Sequence, residues 1–391
     1  MTHDRIPLTD VAWQHAQVRD EIQTAIDRLL DDPTCDGIPF VKALEADVAA
    51  YHGDGWHAVA VQSGTAAEVL LLRALGIGPG DEVVTVPNSD LSTTATISHV
   101  GARFVLVDIQ EVGFAMDPER VEAAITPATK ALLPVHMHGV PAPMDELAAI
   151  ARRHGLLLLE DATLALGARA GGRLAGTLGD GAFVSFAPRK VIGGTGNGGM
   201  VLTPDAAVAE RVRLLRGYGQ DPSVMDLPIT QRQVVGGQGH VAEGYNLKLD
   251  GIQAAVVHAK FRHLDEWRAL RAAAAARYDA LLADVPGLAT PSVRPGDAPA
   301  WRNYTVLSHD RDGLRSHLDA AAIASGTLYA PPVHLQPVYQ HLGLGLGSFP
   351  VAERLGASLL NLPMYPGISE AQQARVADAV RAFQRSAAPA S

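Results

Sequence analysis

Short apolar segments of strand length alternate with helical segments between residues 57 and 160 of this chain. The strand-like segments are residues 57–62, 82–87, 104–107, 131–135 and 156–160. Between them, apolar residues recur with helical spacing at 63–75, 92–100, 118–124 and 144–154. Strands that alternate with helices favour a mostly parallel sheet covered on both faces. The alternation therefore predicts an α/β fold.

The length of the chain, 391 residues, is enough for two or three domain-sized units. Residues 1–50 form an N-terminal helical segment, in which the apolar spacing predicts one continuous helix over 10–31. A long alanine-rich helix at 264–282 leads out of the α/β part. We therefore predict a large domain at 1–265 and a smaller C-terminal α+β domain at 266–391.

Composition and charge narrow the class of protein. The net charge is −10 and there is no basic block, so nucleic acid is not an expected partner. No run of about 18 apolar residues predicts a membrane span, and the N-terminus has no apolar signal core. The single cysteine, Cys35, excludes an intrachain disulfide and favours a reducing compartment. We expect a cytoplasmic globular protein with small-molecule ligands.

Lys190 lies between a strand-like segment, 182–186, and a loop that contains five glycines. Of the five lysines in the chain, only this one has that position. Burial next to a rigid strand would lower the pKa of the amine from its solution value of about 10.4. A neutral amine can form a Schiff base with an aldehyde or ketone. The alternative, which Lys-Gly-Gly alone would favour, is a surface lysine before a flexible turn.

Two further motifs follow predicted strands. Ser63-Gly64-Thr65 precedes a helix, and helix N-termini bind anions such as phosphate; the alternative is an ordinary N-cap. Asp161 follows a strand at the sheet edge where ligands bind in open α/β folds. Such an aspartate could pair with a protonated pyridine nitrogen, or it could be the N-cap of the next helix.

Other interpretations have weaker support. The glycine-rich segment 194–199 comes late in the chain and opens no first βαβ unit, so it is a poor dinucleotide motif. His136 and His138 lack an acidic or cysteine partner at ligand spacing, and we expect no metal site. A serine hydrolase is disfavoured because no G-x-S-x-G motif is present. A second glycine-rich loop is predicted at 236–239.

Taken together, the motifs resemble those of the DegT/DnrJ/EryC1/StrS sugar aminotransferases, which are pyridoxal-phosphate enzymes of the aspartate aminotransferase fold type. The resemblance extends from about Asp10 to Phe383. It rests on many ordered motifs, among them S-G-T-A-A (63–67), G-I-G-P-G-D-E-V (76–83), E-D-A (160–162), S-F-x-P-x-K (185–190), G-Y-N-x-K-L-D (244–250) and L-P-M-Y-P-G (362–367).

The resemblance implies a role for each matching residue. Lys190 would form the Schiff base with pyridoxal 5'-phosphate, and Asp161 would pair with the ring nitrogen. The phosphate ligands would be Gly64, Thr65 and Ser185. Asn246 would reach the phosphate from the neighbouring subunit, so the resemblance also implies a homodimer with shared active sites.

The chain departs from the family pattern at positions that face the cofactor or the substrate. Asp90 stands where the family has a stacking aromatic residue, and Leu164 where it has a glutamine. Lys248 replaces an arginine, Arg302 replaces a histidine, and Tyr329 follows a leucine that replaces another histidine. We expect Asp90 to bind a polar group of the acceptor, and Lys248 and Arg302 to contact an anionic group of the acceptor. Tyr329 is a further substrate-binding candidate.

These features predict a pyridoxal-phosphate-dependent aminotransferase, with pyridoxamine 5'-phosphate as its second form. The amino donor implied by the resemblance is glutamate or glutamine, and the acceptor is a carbonyl group of a sugar or sugar-like metabolite. Two alternatives stay open at this point. One is other pyridoxal chemistry, such as a dehydratase or lyase, against which Lys190 argues because dehydratases of this family carry histidine there. The other is a non-catalytic regulator that binds a ligand.

Overall fold

The computed structural model of the protein describes residues 5–33, 36–221 and 240–387. Cys35 and the predicted loop at 236–239 lie outside these ranges. Within the ranges the α-helices are α1 Val11–Gln17, α2 Arg19–Asp31, α3 Ile38–His52, α4 Gly64–Ala74, α5 Leu91–His99, α6 Pro118–Ala124, α7 Met144–His154, α8 Ala206–Arg216, α9 Gly251–Phe261, α10 Leu264–Leu282, α11 Arg311–Ala320, α12 Pro350–Ser358 and α13 Glu370–Ala387.

The strands of the described residues follow the predicted alternation with the helices. They are β1 His57–Val61, β2 Glu82–Thr85, β3 Arg103–Leu106, β4 Thr129–Leu132, β5 Leu157–Asp161, β6 Arg169–Ala170, β7 Arg173–Leu174, β8 Gly181–Ser185, β9 Gly199–Thr203, β10 Leu288–Ala289, β11 Tyr304–Ser308 and β12 Leu359–Leu362. Short 3₁₀ helices occur at Val112–Phe114, Met137–Gly139, Val333–Leu335 and Pro337–Leu342.

The large sheet has seven strands in the order β1-β9-β8-β5-β4-β2-β3. β3, β2, β4, β5 and β8 pair in parallel along the sheet. β9 runs antiparallel to both of its neighbours, β8 and β1. The predicted α/β fold with a mostly parallel mixed sheet is confirmed, and the reversed strand β9 brings β1 back into the direction of β5 and β8.

Both faces of the large sheet are covered by apolar side chains. Successive residues of β1 alternate between two core clusters: Ala58 and Ala60 belong to one, and Val59 and Val61 to the other. These four side chains are at most 2% exposed. Since side chains alternate across a strand, helices must pack on each face, and α3 and α4 both contact β1.

A second, three-stranded antiparallel sheet has the order β10-β11-β12. Its strands and α10, α11 and α13 share a separate core cluster, which also takes in Ile6 from the N-terminal segment. Tyr278 and Tyr304 lie at the centre of this cluster with ring centroids 4.9 Å apart. The proposed domain boundary between residues 265 and 266 stays a prediction; it falls inside α10.

The single helix predicted over 10–31 is wrong in one respect. Val18 has φ −126° and ψ 23°, which ends α1 and begins α2. The break leaves the helical spacing of apolar residues nearly unchanged, so the periodicity did not reveal it. Elsewhere the predicted bounds of α6, α7 and α10 agree with those observed. Throughout the described part of the chain, every helix is too short or too polar to cross a membrane.

Candidate active site

The polar side chains singled out in the sequence meet at one edge of the large sheet. β1, β5 and β8 run in the same direction, so their carboxyl ends lie at the same edge. Ligands of open α/β sheets bind at this edge. A cavity of about 300 Å³ opens there, lined by Ser63, Gly64, Thr65, Glu68, Asp90, Ser92, Val135, Met137, Asp161, Thr163, Leu164, Phe183, Ser185, Ala187, Lys190, Asn197 and Tyr329.

The N-terminus of α4 forms one wall of the cavity. Ser63 is the N-cap, since its Oγ accepts a hydrogen bond from the Ala66 amide at 3.0 Å. The first amides of a helix have no intrahelical acceptor and carry the positive end of the helix dipole. A Cβ on Gly64 would lie 2.8 Å from the Cβ of Ser185, so glycine is needed for this close approach. Amides and hydroxyls are thus gathered in a donor set suited to phosphate.

Asp161 ends β5 and is 5% exposed. Its Oδ1 accepts from the Thr163 amide at 3.0 Å, and its Oδ2 accepts from the Thr93 hydroxyl at 3.3 Å. Burial raises the pKa of Asp161, while the hydrogen bond from Thr163 and the charge of Lys190 oppose that shift. A second cation in the cavity would stabilise the carboxylate further, because an opposite charge favours the ionised form.

Lys190 follows β8 in a turn, where its amide donates to the Ala187 carbonyl at 2.9 Å. Burial lowers the pKa of Lys190 to about 8; the carboxylate of Asp161 opposes this shift, and the charge of Arg302 adds to it. A substantial fraction of the amine is therefore neutral near physiological pH, as nucleophilic and base chemistry require. The alternative of a lysine on a flexible surface turn does not fit this position.

The glycine-rich loop after Lys190 is fastened by two side chains of α9. Gln253 accepts hydrogen bonds from the amides of Thr195 and Gly196 at 3.0 and 2.9 Å. Lys260, which is fully buried, donates from Nζ to the Gly193 carbonyl at 2.5 Å. The loop leads into β9 rather than into a helix, so the dinucleotide interpretation of segment 194–199 fails on its structural context.

Asp90, Leu164 and Tyr329 line the cavity. Asp90 is exposed and begins α5, where its Oδ1 accepts from the Ser92 amide at 2.9 Å. One oxygen of its carboxylate therefore has a hydrogen-bond donor within the chain. Leu164 is buried, at 4% exposure. Burial, and after it the charge of Asp90, raises the pKa of Tyr329 to about 12.

Three predicted residues lie outside the group that lines the cavity. Asn246 and Lys248 are exposed on the segment between α8 and α9, and Lys248 Nζ lies 6.0 Å from the ring centroid of Tyr218. Arg302 is buried, at 5% exposure, just before β11. Its charge nevertheless acts on Lys190 and Tyr329, which do line the cavity.

Glu68 is the most notable cavity residue that the sequence reasoning missed. It is 1% exposed, and its Oε1 has no hydrogen-bond partner. Burial, and after it the nearby charge of Asp161, raises the pKa of Glu68 well above its usual range. A signal was present in the sequence: Glu68 is the one acidic residue of α4, and it is placed a helical turn from Gly64 and Thr65, on the same face.

The two candidate metal histidines are engaged in hydrogen bonds. His136 Nε2 lies 2.9 Å from Glu160 Oε2, and its Nδ1 accepts from the Ala142 amide at 2.9 Å. His138 Nδ1 lies 3.1 Å from Asn303 Nδ2. Burial lowers the pKa of His138 to about 3, with a smaller contribution from the charge of Arg302. Both imidazoles thus support the loops beneath the cavity.

With this geometry in hand, the chain can be compared with known proteins. Residues 16–381 match the model of the DegT/DnrJ/EryC1/StrS aminotransferase family, and the chain belongs to that family. It is 43% identical over 377 residues to the dTDP-3-amino-3,4,6-trideoxy-alpha-D-glucose transaminase of Streptomyces venezuelae, across 96% of each protein. It is 39% identical over 382 residues to a pleiotropic regulatory protein of Geobacillus stearothermophilus, across 97% of this chain and 99% of the relative.

Solved structures agree with the sequence comparison. The crystal structure of S. venezuelae DesV in complex with a ketimine intermediate matches with a TM-score of 0.89 at 41% identity, over 97% of this chain and 98% of that one. The fold is that of the pyridoxal-phosphate-dependent aminotransferases, and the protein is an aminotransferase.

The cavity residues fit pyridoxal 5'-phosphate, on which this family depends. The N-terminus of α4, which Gly64 allows to lie close to Ser185, offers hydrogen-bond donors suited to the phosphate. The buried carboxylate of Asp161 matches a protonated ring nitrogen, and the desolvated amine of Lys190 matches the aldehyde. The phosphate, the ring nitrogen and the aldehyde of the cofactor thus each have a chemically matched group in the cavity.

Proposed function

We propose that this protein transfers an amino group from an α-amino acid to the ketone or aldehyde of a sugar or sugar-like metabolite. The observation that supports this most is that Lys190, Asp161 and the N-terminus of α4 line one cavity. When bound, pyridoxal 5'-phosphate supplies an aldehyde that bonds to amines and a ring that withdraws electrons from the adjacent carbon. The remaining tasks fall to residues of this chain.

The binding tasks are divided between two walls of the cavity. Gly64 and Thr65, at the start of α4, would hold the phosphate together with the hydroxyl of Ser185. The carboxylate of Asp161 would keep a proton on the ring nitrogen, because an adjacent negative charge favours the protonated ring. Thr163 and Thr93 orient that carboxylate through their hydrogen bonds to Oδ1 and Oδ2.

Lys190 would move the proton in each half-reaction. In the donor half-reaction its Nζ would take the proton from the substrate carbon that carries the nitrogen, and in the acceptor half-reaction it would deliver a proton to the acceptor carbon that receives the nitrogen. A general base works best when its pKa is near the working pH, and burial lowers the pKa of Lys190 to about 8. The intact Lys190 and Asp161 are also the argument against a purely regulatory role.

We further propose that substrate selection rests on the side of the cavity where the chain departs from its family. Asp90, through the carboxylate oxygen that does not cap α5, would bind a hydroxyl or amino group of the acceptor. Leu164 would lie against the cofactor ring, and Tyr329 would present its phenol to the substrate. Lys248 and Arg302 would contact anionic groups, and glutamate or glutamine would be the amino donor.

Borohydride reduction tests the proposed function directly. We expect the purified protein with its bound cofactor to show an absorption band in the visible range. Borohydride reduction should remove this band and fix the cofactor covalently on Lys190. Peptide mapping by mass spectrometry reads out the modified lysine, with Lys260 as the internal control because it is also desolvated, with a pKa lowered by burial to about 8. An adduct on Lys260 or on any other lysine would contradict the proposal.

We propose a cytoplasmic homodimer in which Asn246 completes the phosphate site of the partner subunit. The exposure of Asn246, away from the cavity of its own chain, supports a contact across an interface. The location in the cytoplasm rests on the sequence alone, because Cys35 lies outside the described residues.

A mixing experiment tests the shared site. Lys190→Ala and Asn246→Ala chains should each be inactive, whereas their mixture should recover about a quarter of the wild-type activity, since half of the dimers are hybrids with one intact site. Activity and light scattering are measured before and after subunit exchange. If exchange is confirmed by mass spectrometry and no activity returns, Asn246 does not act across the interface.

A further inference from the structure

Glu68 places a second carboxyl group in the wall of the cavity, beside Asp161. It lies on α4, one helical turn after Gly64 and Thr65, and it lines the same cavity as Asp161. The residue is 1% exposed, and within the described part of the chain its Oε1 has no hydrogen-bond partner. A buried polar atom without a partner costs free energy, so its presence in a binding cavity calls for an explanation.

Burial and the neighbouring charges favour the neutral form of the Glu68 carboxyl. Burial, and after it the charge of Asp161, raises the pKa of Glu68 well above its usual range, and the negative charge of Asp90 adds to this shift. A hydrogen bond from the Thr96 hydroxyl opposes the shift. Since Oε1 is unpartnered, this bond falls to Oε2. A neutral carboxyl carries one O–H donor, and with Oε2 as an acceptor the proton belongs on Oε1.

Asp161 has acceptor positions left for such a donor. Its Oδ1 accepts from the Thr163 amide, and its Oδ2 accepts from the Thr93 hydroxyl. An ionised carboxylate offers about four acceptor positions, so one is left for the ring nitrogen and one for a further donor. Helix α5, which packs on α4, holds both carboxyl groups. Thr93 and Thr96 lie on the same face of α5 and hydrogen-bond to Asp161 and Glu68, respectively.

We infer that Glu68 is a neutral carboxylic acid that donates a hydrogen bond from Oε1 to the Asp161 carboxylate and so stabilises the negative charge beside the ring nitrogen. This inference rests on the proposed function and deepens it. Glu68 is a positioning residue, because it acts through Asp161. Oε1 makes no such bond in the structure, so a rotation of the Glu68 side chain must accompany it. A hydrogen bond to the ionised form lowers the proton affinity of a carboxylate, which keeps the shared proton on the ring nitrogen.

Nuclear magnetic resonance of the ring nitrogen tests this inference. The whole chain is loaded with cofactor that carries ¹⁵N in its ring, and the ¹⁵N chemical shift reports whether this nitrogen is protonated. Wild-type protein should give the shift of a protonated ring. In Glu68→Leu, which removes the donor, the shift should move towards that of an unprotonated ring. The rate of amino transfer should fall about 10-fold, the low end for loss of a hydrogen bond to a charged group. Glu68→Gln keeps a neutral donor and should restore the protonated shift.

Infrared spectroscopy of the loaded protein tests the charge of Glu68 and does not require Glu68→Leu to fold. At neutral pH the difference spectrum between wild-type protein and Glu68→Gln should contain the C=O stretch of a protonated carboxyl. The bands of an ionised carboxylate in its place would overturn the inference.

Glu82→Gln is the matched control for both measurements. Glu82 is a buried glutamate on β2, outside the residues that line the cavity, and it accepts a hydrogen bond from the Thr126 hydroxyl at 2.7 Å. Its substitution should lower the melting temperature and leave the ring ¹⁵N shift unchanged.

The outcomes separate this inference from the proposed function. An unchanged ring ¹⁵N shift in folded Glu68→Leu would overturn the inference and leave the proposed function intact. Wild-type protein that holds its cofactor on Lys190 but exchanges no amino group with any amino acid would overturn the proposed function. The ¹⁵N and infrared measurements would still report on Glu68 in that case, because neither needs turnover.

Discussion

Replacement of Lys190 by alanine should lower the rate of amino transfer by at least about 10⁴-fold, the largest effect expected of any single substitution here. The variant loses both the amine that bonds to the cofactor and the base that moves the substrate proton. Cofactor should still bind, though more weakly, because the phosphate donors at the N-terminus of α4 and the carboxylate of Asp161 remain. Steady-state kinetics measure the loss, and equilibrium dialysis measures the remaining cofactor.

The matched control for this substitution is Lys130→Ala. Lys130 is an exposed lysine on β4, away from the residues that line the cavity. We expect its removal to leave the rate within twofold or so, as is usual for surface substitutions. If Lys190→Ala retained more than a small percentage of activity while Lys130→Ala behaved normally, another base would have to be sought, and Lys260 would be the first to examine.

Asp161→Asn should reduce turnover by about 10²- to 10³-fold, the range for removal of one preorganised electrostatic group. Asparagine keeps the shape but loses the charge that holds a proton on the ring nitrogen. The pKa of the bound cofactor should therefore fall, and a pH titration of its absorbance measures this separately from turnover. Burial raises the pKa of Asp161 in the cofactor-free cavity, whereas a protonated ring nitrogen beside it would favour the ionised carboxylate.

Asp108→Asn is the matched control, because this aspartate has a structural role as an acceptor for backbone amides. Asp108 accepts hydrogen bonds from the Val351 and Ala352 amides at 2.9 and 3.0 Å, at the start of α12. Its substitution should lower the melting temperature and leave the cofactor spectrum unchanged. Near-normal turnover in Asp161→Asn would show that a different group supports the ring nitrogen, and Glu68 would be the candidate in the described cavity.

Much of the fold was predictable because it depends on local patterns. Alternating strand-like and helical segments predicted the α/β class, and the bounds of α10 follow from a single uninterrupted helical pattern. The reversed strand β9 was not predicted, since a buried strand has the same apolar composition in either direction. Strand direction depends on the connection, and the described segment between β8 and β9 contains no helix that could carry the chain back to a parallel strand.

The candidate site was predictable in part for a similar reason. Lys190, Asp161 and Gly64 each follow or precede a recognisable strand, so the sheet edge brings them together. Glu68 was missed because its position on α4 has meaning only once the neighbouring carboxylate of Asp161 is known. The burial of Arg302 also could not be read from the sequence, because it is a property of the packed interior.

The support of the Lys190 loop by α9 has a consequence for how new activities arise in this scaffold. Gln253 and Lys260 fasten the loop from outside the cavity, and α9 in turn packs on α2 and α3. The wall with Asp90, Leu164 and Tyr329 belongs to other segments of the chain. Mutations that change the choice of acceptor can thus accumulate on that wall while Lys190 keeps its position. Natural or laboratory selection can therefore vary the acceptor without displacing the lysine.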